Sequence, residues 1–194
     1  MGGRISSTRD QIIETAVDLL EKQGYRATGL NQIVEESGAP KGSLYYYFPG
    51  GKEEFSTEAI NRVGQEIAER IRTNLAAIED PGEAVQAFIL KLAKHVEASD
   101  FLKGGPITTV ALEAATTSDR LNEACKATYE QWQAAFGEKL LESGFSEERS
   151  SRLAGLIIAS IEGAIVLSRT SRSIVPLQQI AEELKLLLQT TPEV

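Results

Sequence analysis

Residues that carry chemistry are scarce in this 194-residue chain, which has one cysteine, one histidine, one tryptophan and one methionine. A lone Cys125 excludes an internal disulfide, and with His95 as the single imidazole a His/Cys zinc site lacks ligands. The same shortage leaves no convergent nucleophile and base, so no enzyme, cofactor or metal is expected. Long hydrophobic runs are missing too. The longest, Leu153 to Leu167, is broken by Ser160 and Glu162, short of the roughly 18 uncharged residues of a membrane span. No apolar segment follows the early arginines, as a secretory signal would require. Met1-Gly2-Gly3-Arg4-Ile5-Ser6 fits a loose acylation pattern but reads more simply as a short basic arm. A soluble protein of a reducing, cytoplasmic compartment is expected.

What is present is ordinary globular composition, 42% apolar and 25% charged, with the charge unevenly placed. Residues 1–52 hold equal numbers of acidic and basic side chains, so the whole net charge of −8 falls on the remainder. Arg4 and Arg9 in the first nine residues, and Lys41 and Lys52 within 37–52, have no acid beside them in their stretches. Screening acts over ~8 Å at physiological salt, so local sign outweighs the total when the partner is a polyanion.

Helical periodicity dominates and no strand pattern appears. Ile12, Ile13, Ala16, Val17, Leu19 and Leu20 fall on one face of a first helix, which Gly24 should stop. Thr28 is placed to N-cap a short second helix carrying Leu30, Ile33 and Val34. A turn at Ser37-Gly38-Ala39-Pro40 leads to a third helix, Lys41 to Phe48, which ends at Pro49-Gly50-Gly51. A long helix over Glu53–Ile78 follows. Further helices are expected at Glu83–Ala98, Ile107–Ala115, Ser118–Glu142, Glu147–Arg169 and Pro176–Leu188. The fold class is all-α with about nine helices, divided into a head at 1–52 and a body at 53–194.

The two short helices between Thr28 and Phe48 satisfy the demands of a helix-turn-helix. Gly38 supplies positive φ in the turn, while Leu44 and Phe48 anchor the second helix inward. Lys41, Ser43, Tyr46 and Tyr47 form its outward face, and small Gly42 allows a phosphate to approach the backbone. Tyrosine suits such a face, offering apolar ring contact to thymine methyls and a hydroxyl to phosphate. Tyr45, Tyr46 and Tyr47 could instead be core aromatics, but three adjacent helix positions point too widely apart to share one core.

Gly24-Tyr25-Arg26-Ala27-Thr28, Ile33-Val34-Glu35-Glu36-Ser37-Gly38, Lys41-Gly42-Ser43-Leu44-Tyr45-Tyr46-Tyr47-Phe48 and Lys52-Glu53-Glu54-Phe55 together resemble the N-terminal domain of TetR-family transcriptional regulators. The resemblance is strict over about residues 5–56 and architectural over the rest. It implies a homodimer with a three-helix head binding double-stranded operator DNA, and a body that binds a small-molecule effector. It also implies dimerisation through the last two long helices. The residues expected at DNA are Thr28, Asn31, Gln32, Lys41, Gly42, Ser43, Tyr45, Tyr46, Tyr47 and Lys52. Two departures stand out. Pro49-Gly50-Gly51 is one residue longer than the family's usual spacing to the phosphate-contacting lysine, here Lys52. Gly29 and Leu30 replace residues often polar in the family, leaving Asn31 and Gln32 as the groove-facing pair.

In the body, apolar residues with interleaved polar groups are the pattern of a small-molecule site. Phe88, Leu92, His95, Ile107, Val110, Glu113, Tyr129, Trp132 and Phe136 are expected to line it, with an apolar or aromatic effector. Leu156, Ser160, Gly163, Ala164 and Leu167 put small side chains between large ones on one helix, and Leu177, Ile180 and Leu184 stripe the next. Paired about a two-fold axis, these helices would make a four-helix dimer interface. A small-molecule carrier or sensor without DNA binding is the competing reading, and an all-helical enzyme a more distant one.

Overall fold

The computed structural model describes residues 7–114 and 117–189. The N-terminal acylation pattern, the Arg4 arm, and Ala115 and Thr116 lie outside the described residues. Among the described residues there are nine α-helices and no strand: α1 (Thr8–Ala27), α2 (Leu30–Ser37), α3 (Lys41–Tyr47), α4 (Gly51–Ala76), α5 (Pro81–Ala98), α6 (Thr108–Ala114), α7 (Asp119–Glu142), α8 (Glu147–Ser171) and α9 (Val175–Gln189).

These helices belong to two compact units, one of residues 1–63 and 106–127, the other of 64–105 and 128–194. The first unit is larger than the head expected at 1–52, because it takes in the start of α4, all of α6 and the start of α7. Its core is built from the apolar stripe of α1, with Ile12, Ile13, Ala16, Leu19 and Leu20 buried beside Ile33, Leu44, Phe48 and Phe55. At the helix start, Ser7 accepts from the Asp10 N–H and Asp10 accepts back from the Ser7 N–H, a reciprocal cap. The Ser7 bonds, with help from Arg62, hold the Asp10 carboxyl below its ordinary range. Asp10–Arg62 at 2.8 Å and an Arg9–Glu58 pair tie α1 to α4 within this unit, so Arg9 is already engaged.

In the second unit α5 packs on α9, and Ala84, Val85, Ile89, Ala93 and Val96 of the one and Leu177, Ala181, Leu184 and Leu188 of the other are buried. Asp80 caps α5 by accepting the Glu83 N–H at 2.7 Å, and Ser146 caps α8 through the Arg149 N–H, as its acidic first turn suggested. By length and composition α8 is apolar enough to cross a membrane, but Leu153, Ala154, Ile157, Ile161, Ala164 and Ile165 bury part of that apolarity inside the unit. Cys125, in the first unit, is buried, and burial pushes its thiol up to about 11, so it is a protonated core residue.

At Gly82 a Cβ would sit 2.7 Å from a backbone atom, the Lys185 carbonyl oxygen of α9. Backbone cannot yield as a flexible side chain can. Gly82→Val is expected to cost about 1–3 kcal/mol through overpacking, read as a lower urea midpoint with an unchanged m value.

Candidate nucleic-acid interface

The helix-turn-helix is held from beneath by two fully buried anchors, Leu44 and Phe48, and by Ile33 on α2. Gly38 closes α2 in the left-handed conformation, φ 66°, as the turn required. With Leu44 and Phe48 fixed inward, the residues between them are driven outward. Tyr45 and Tyr46 are 61% and 80% exposed, while Tyr47 is half-buried and meets Tyr46 edge to face at 5.1 Å. Lys41 and Gly42 are exposed and Ser43 is half-buried. A Cβ at Gly42 would meet nothing within 4 Å, so no packing inside the protein requires glycine there. Asn31, Lys41 and Tyr45 rim a concave space of about 740 Å³ between α2 and α3, whose floor includes Leu30, Val34 and Leu44.

Three expected interface residues have partners within the protein. Thr28 is fully buried, and its hydroxyl donates to the Gly24 carbonyl at 2.7 Å. It closes the end of α1, and Gly29 takes the N-cap position of α2 without a side-chain bond. The physical reason is the kink at Gly24, φ 79°, which interrupts the helical conformation of α1 and leaves a buried carbonyl for a short hydroxyl to reach. Gln32 is held by its own neighbours: its Oε1 accepts from Gln23 at 2.8 Å and its Nε2 donates to Glu36 at 2.9 Å. Asn31 is exposed, which leaves it the freer member of that pair.

Lys52 is the third. Its ammonium donates to the Arg26 carbonyl at 3.2 Å and lies 4.4 Å from the centroid of the Tyr25 ring. Partial burial lowers the proton affinity of this amine, and Glu113 opposes that loss. The Tyr25 hydroxyl is pushed upward by burial and by the Glu53 carboxylate. Glu113, expected to line an effector pocket, belongs to this same cluster and accepts the Arg26 N–H at 2.7 Å. Nothing in the sequence pattern paired Glu113 with residue 26, because the contact depends on how α6 docks on α1.

The other expected pocket residues divide. Ile107 and Val110 are fully buried in the first unit. In the second, Trp132 is 4% exposed and its indole N–H donates to the Gly64 carbonyl at 2.9 Å, while Phe136 is buried against Phe88. Both are core residues here. Tyr129 is half-buried and bonds Glu162 through its hydroxyl at 3.2 Å. Phe88, Leu92 and His95 do come together, lining a cleft of about 170 Å³ with Arg70, Asn74 and Lys91. Among the described residues no group of acidic, His and Cys side chains could hold a metal ion.

Comparison with known proteins agrees with this geometry. Residues 12–59 match the family described as bacterial regulatory proteins, tetR family, and residues 81–183 match the transcriptional regulator LmrA/YxaF-like C-terminal domain. The chain is 44% identical to the HTH-type transcriptional regulator YxaF of Bacillus subtilis (strain 168), over 94% of this chain and 95% of that one. It is 41% identical to the HTH-type transcriptional regulator LmrA of the same organism, over 90% and 93%. The solved structure of regulatory protein TetR from Rhodobacter sphaeroides shares the fold, with a TM-score of 0.82 at 20% identity, covering 92% of this chain and 97% of that one.

An interface on the exposed face would separate positioning from reading. Lys41→Ala is expected to weaken binding to every duplex and lower the salt slope by about one unit. Tyr46→Ala or Asn31→Ala should instead change base preference, by roughly 1–3 kcal/mol at the contacted position. Titrations of enriched and scrambled duplexes at several salt concentrations check both.

Proposed function

Because the chain belongs to the TetR family of bacterial transcriptional regulators, we propose that it is a cytoplasmic repressor that binds a palindromic operator as a homodimer and is released by a small apolar or aromatic effector. DNA-binding regulation, as opposed to catalysis, is the family's function. The observation that carries the operator reading is the exposed pair Tyr45 and Tyr46 beside Lys41, set on a helix whose inner face is fully buried. Large aromatic side chains exposed to that degree signal contact with a partner. In this reading residues 1–52 are the DNA-binding head and 53–194 the effector-binding and dimerising body.

The dimer proposal rests on α8, where Leu156, Val166 and Leu167 are 46%, 49% and 59% exposed and Ala159 and Gly163 are exposed between them. Ser160 and Ile180 are half-buried and can contribute at the margin. Ala164, Leu177 and Leu184 are withdrawn from the expected interface, since the protomer's own core buries them. The reason is helical phase. On α8 Gly163 and Ala164 differ by one position, or 100°, which is enough to separate the outer face from the inner. Effector binding is supported by Phe88, Leu92 and His95 in their shared cleft, where apolar walls meet a few polar groups.

Sedimentation at micromolar concentration is expected to show a dimer, and Leu167→Glu to yield a monomer with much weaker operator binding. Duplexes enriched from random sequence should be palindromic, with half-site centres roughly 34 Å apart. An absence of any preferred duplex would favour the carrier. For an apolar compound that releases DNA, linkage requires operator to weaken compound binding by the same factor, typically about 5- to 150-fold. Equal compound affinity with and without operator would exclude such coupling.

A further inference from the structure

The side chains of Lys52 and Glu113 meet the backbone of one residue. The Arg26 N–H donates to Glu113 at 2.7 Å, and the Arg26 carbonyl accepts from Lys52 at 3.2 Å. Gly24 makes the approach of α6 to α1 achievable. Its φ of 79° turns the chain, and a Cβ there would sit 2.8 Å from a Glu113 carboxylate oxygen and 2.7 Å from the Thr109 methyl. The cluster extends further, because Glu53 beside Lys52 accepts from the hydroxyl of Ser118 just before α7.

The placement of these contacts along the chain is what gives them consequence. Arg26 lies four residues before α2 begins, and Lys52 lies four residues after Phe48, where α3 is capped. Lys52 therefore joins the two ends of the helix-turn-helix to each other, and Glu113 fixes that junction to α6. The longer linker is part of the same arrangement. Gly51, φ 69°, donates to the Phe48 carbonyl at 2.9 Å and starts α4, and one residue later the Lys52 amine reaches the end of α1.

We propose that Lys52 and Glu113 form an opposite-charge clamp on the backbone of Arg26, so that Glu113 is a positioning residue for the DNA-binding head and Lys52 supports the head from within in place of holding a phosphate. The proposal rests on the reading of α2 and α3 as the DNA-contacting helices. Charge-assisted bonds are stronger than neutral ones, and both partners here are charged side chains on backbone groups that a kinked helix end has left open. The sign of the effect is diagnostic. Removing an acidic side chain strengthens or leaves unchanged the attraction to a polyanion if only the field matters. A clamp makes the loss of Glu113 weaken DNA binding.

The test uses full-length protein and a duplex enriched on the wild type. Lys52→Ala is expected to weaken binding with the salt slope of the wild type, whereas Lys41→Ala lowers that slope by about one unit. Glu113→Ala is expected to weaken binding roughly five- to tenfold. Glu113→Gln, which keeps an acceptor for the Arg26 N–H, should recover most of that loss. The double variant Lys52→Ala/Glu113→Ala should lose less than the product of the single losses, because both act on one turn. A salt slope reduced by about one in Lys52→Ala would make it a phosphate contact and overturn the proposal. So would Glu113→Ala binding as tightly as the wild type or tighter. Amide exchange provides an arm without DNA: protection of the Arg26 N–H should fall in Glu113→Ala and persist in Glu113→Gln, with global protection in α5 and α8 unchanged. Unaltered Arg26 protection in Glu113→Ala would also overturn it. Failure of the wild type to select any duplex would instead count against the DNA-contacting assignment, and the exchange arm would still decide the clamp.

Discussion

The first unit is organised around a helix that must stop being helical before it ends. At Gly24 the backbone of α1 takes a left-handed φ, and this single departure leaves polar backbone groups that need partners. The chain supplies them from separated positions. Thr28 takes the Gly24 carbonyl, Lys52 takes the Arg26 carbonyl and Glu113 takes the Arg26 N–H. Three side chains from three parts of the sequence are thereby committed to one turn. Thr28 closes α1 where its local pattern suggested the start of α2, and Lys52 and Glu113 each make a backbone contact that their local patterns did not suggest.

The same accounting separates the two faces of the head. Inward positions on α2 and α3 are filled by Ile33, Leu44 and Phe48 at zero exposure, so the helices have little freedom to rotate. Tyr45 and Tyr46 are consequently held at the surface although both are large and aromatic. A protein does not gain stability by exposing such rings to water, and the arrangement makes sense when another molecule covers them. Gln32 shows the opposite outcome, because its amide is engaged at both ends by Gln23 and Glu36.

In the second unit the apolar content exceeds what one protomer buries. Along α8, Ile157, Ile161, Ala164 and Ile165 face inward, while Leu156, Val166 and Leu167 face out. The helix is therefore apolar around most of its circumference, which is also why it resembles a membrane span by composition. On α9 the division is sharper. Leu177, Ala181, Leu184 and Leu188 are core, and Leu186 is exposed at 59%.

Much was legible from sequence alone because it depends on short-range rules. The nine helices among the described residues follow from periodicity, glycine and proline, and the match to a DNA-binding family follows from motifs at fixed spacing. The outward direction of at least one tyrosine follows from helical geometry. The role of each polar side chain was not legible, because it is decided by partners distant in sequence. Glu113 and Arg26 are 87 residues apart, and Trp132 and the Gly64 carbonyl are 68 apart. A small apolar stripe reads the same whether its partner is the chain's own α5 or a second protomer. Only packing separates Leu177 from Leu167, because burial is a property of the neighbours a residue meets, and those are fixed when the helices dock.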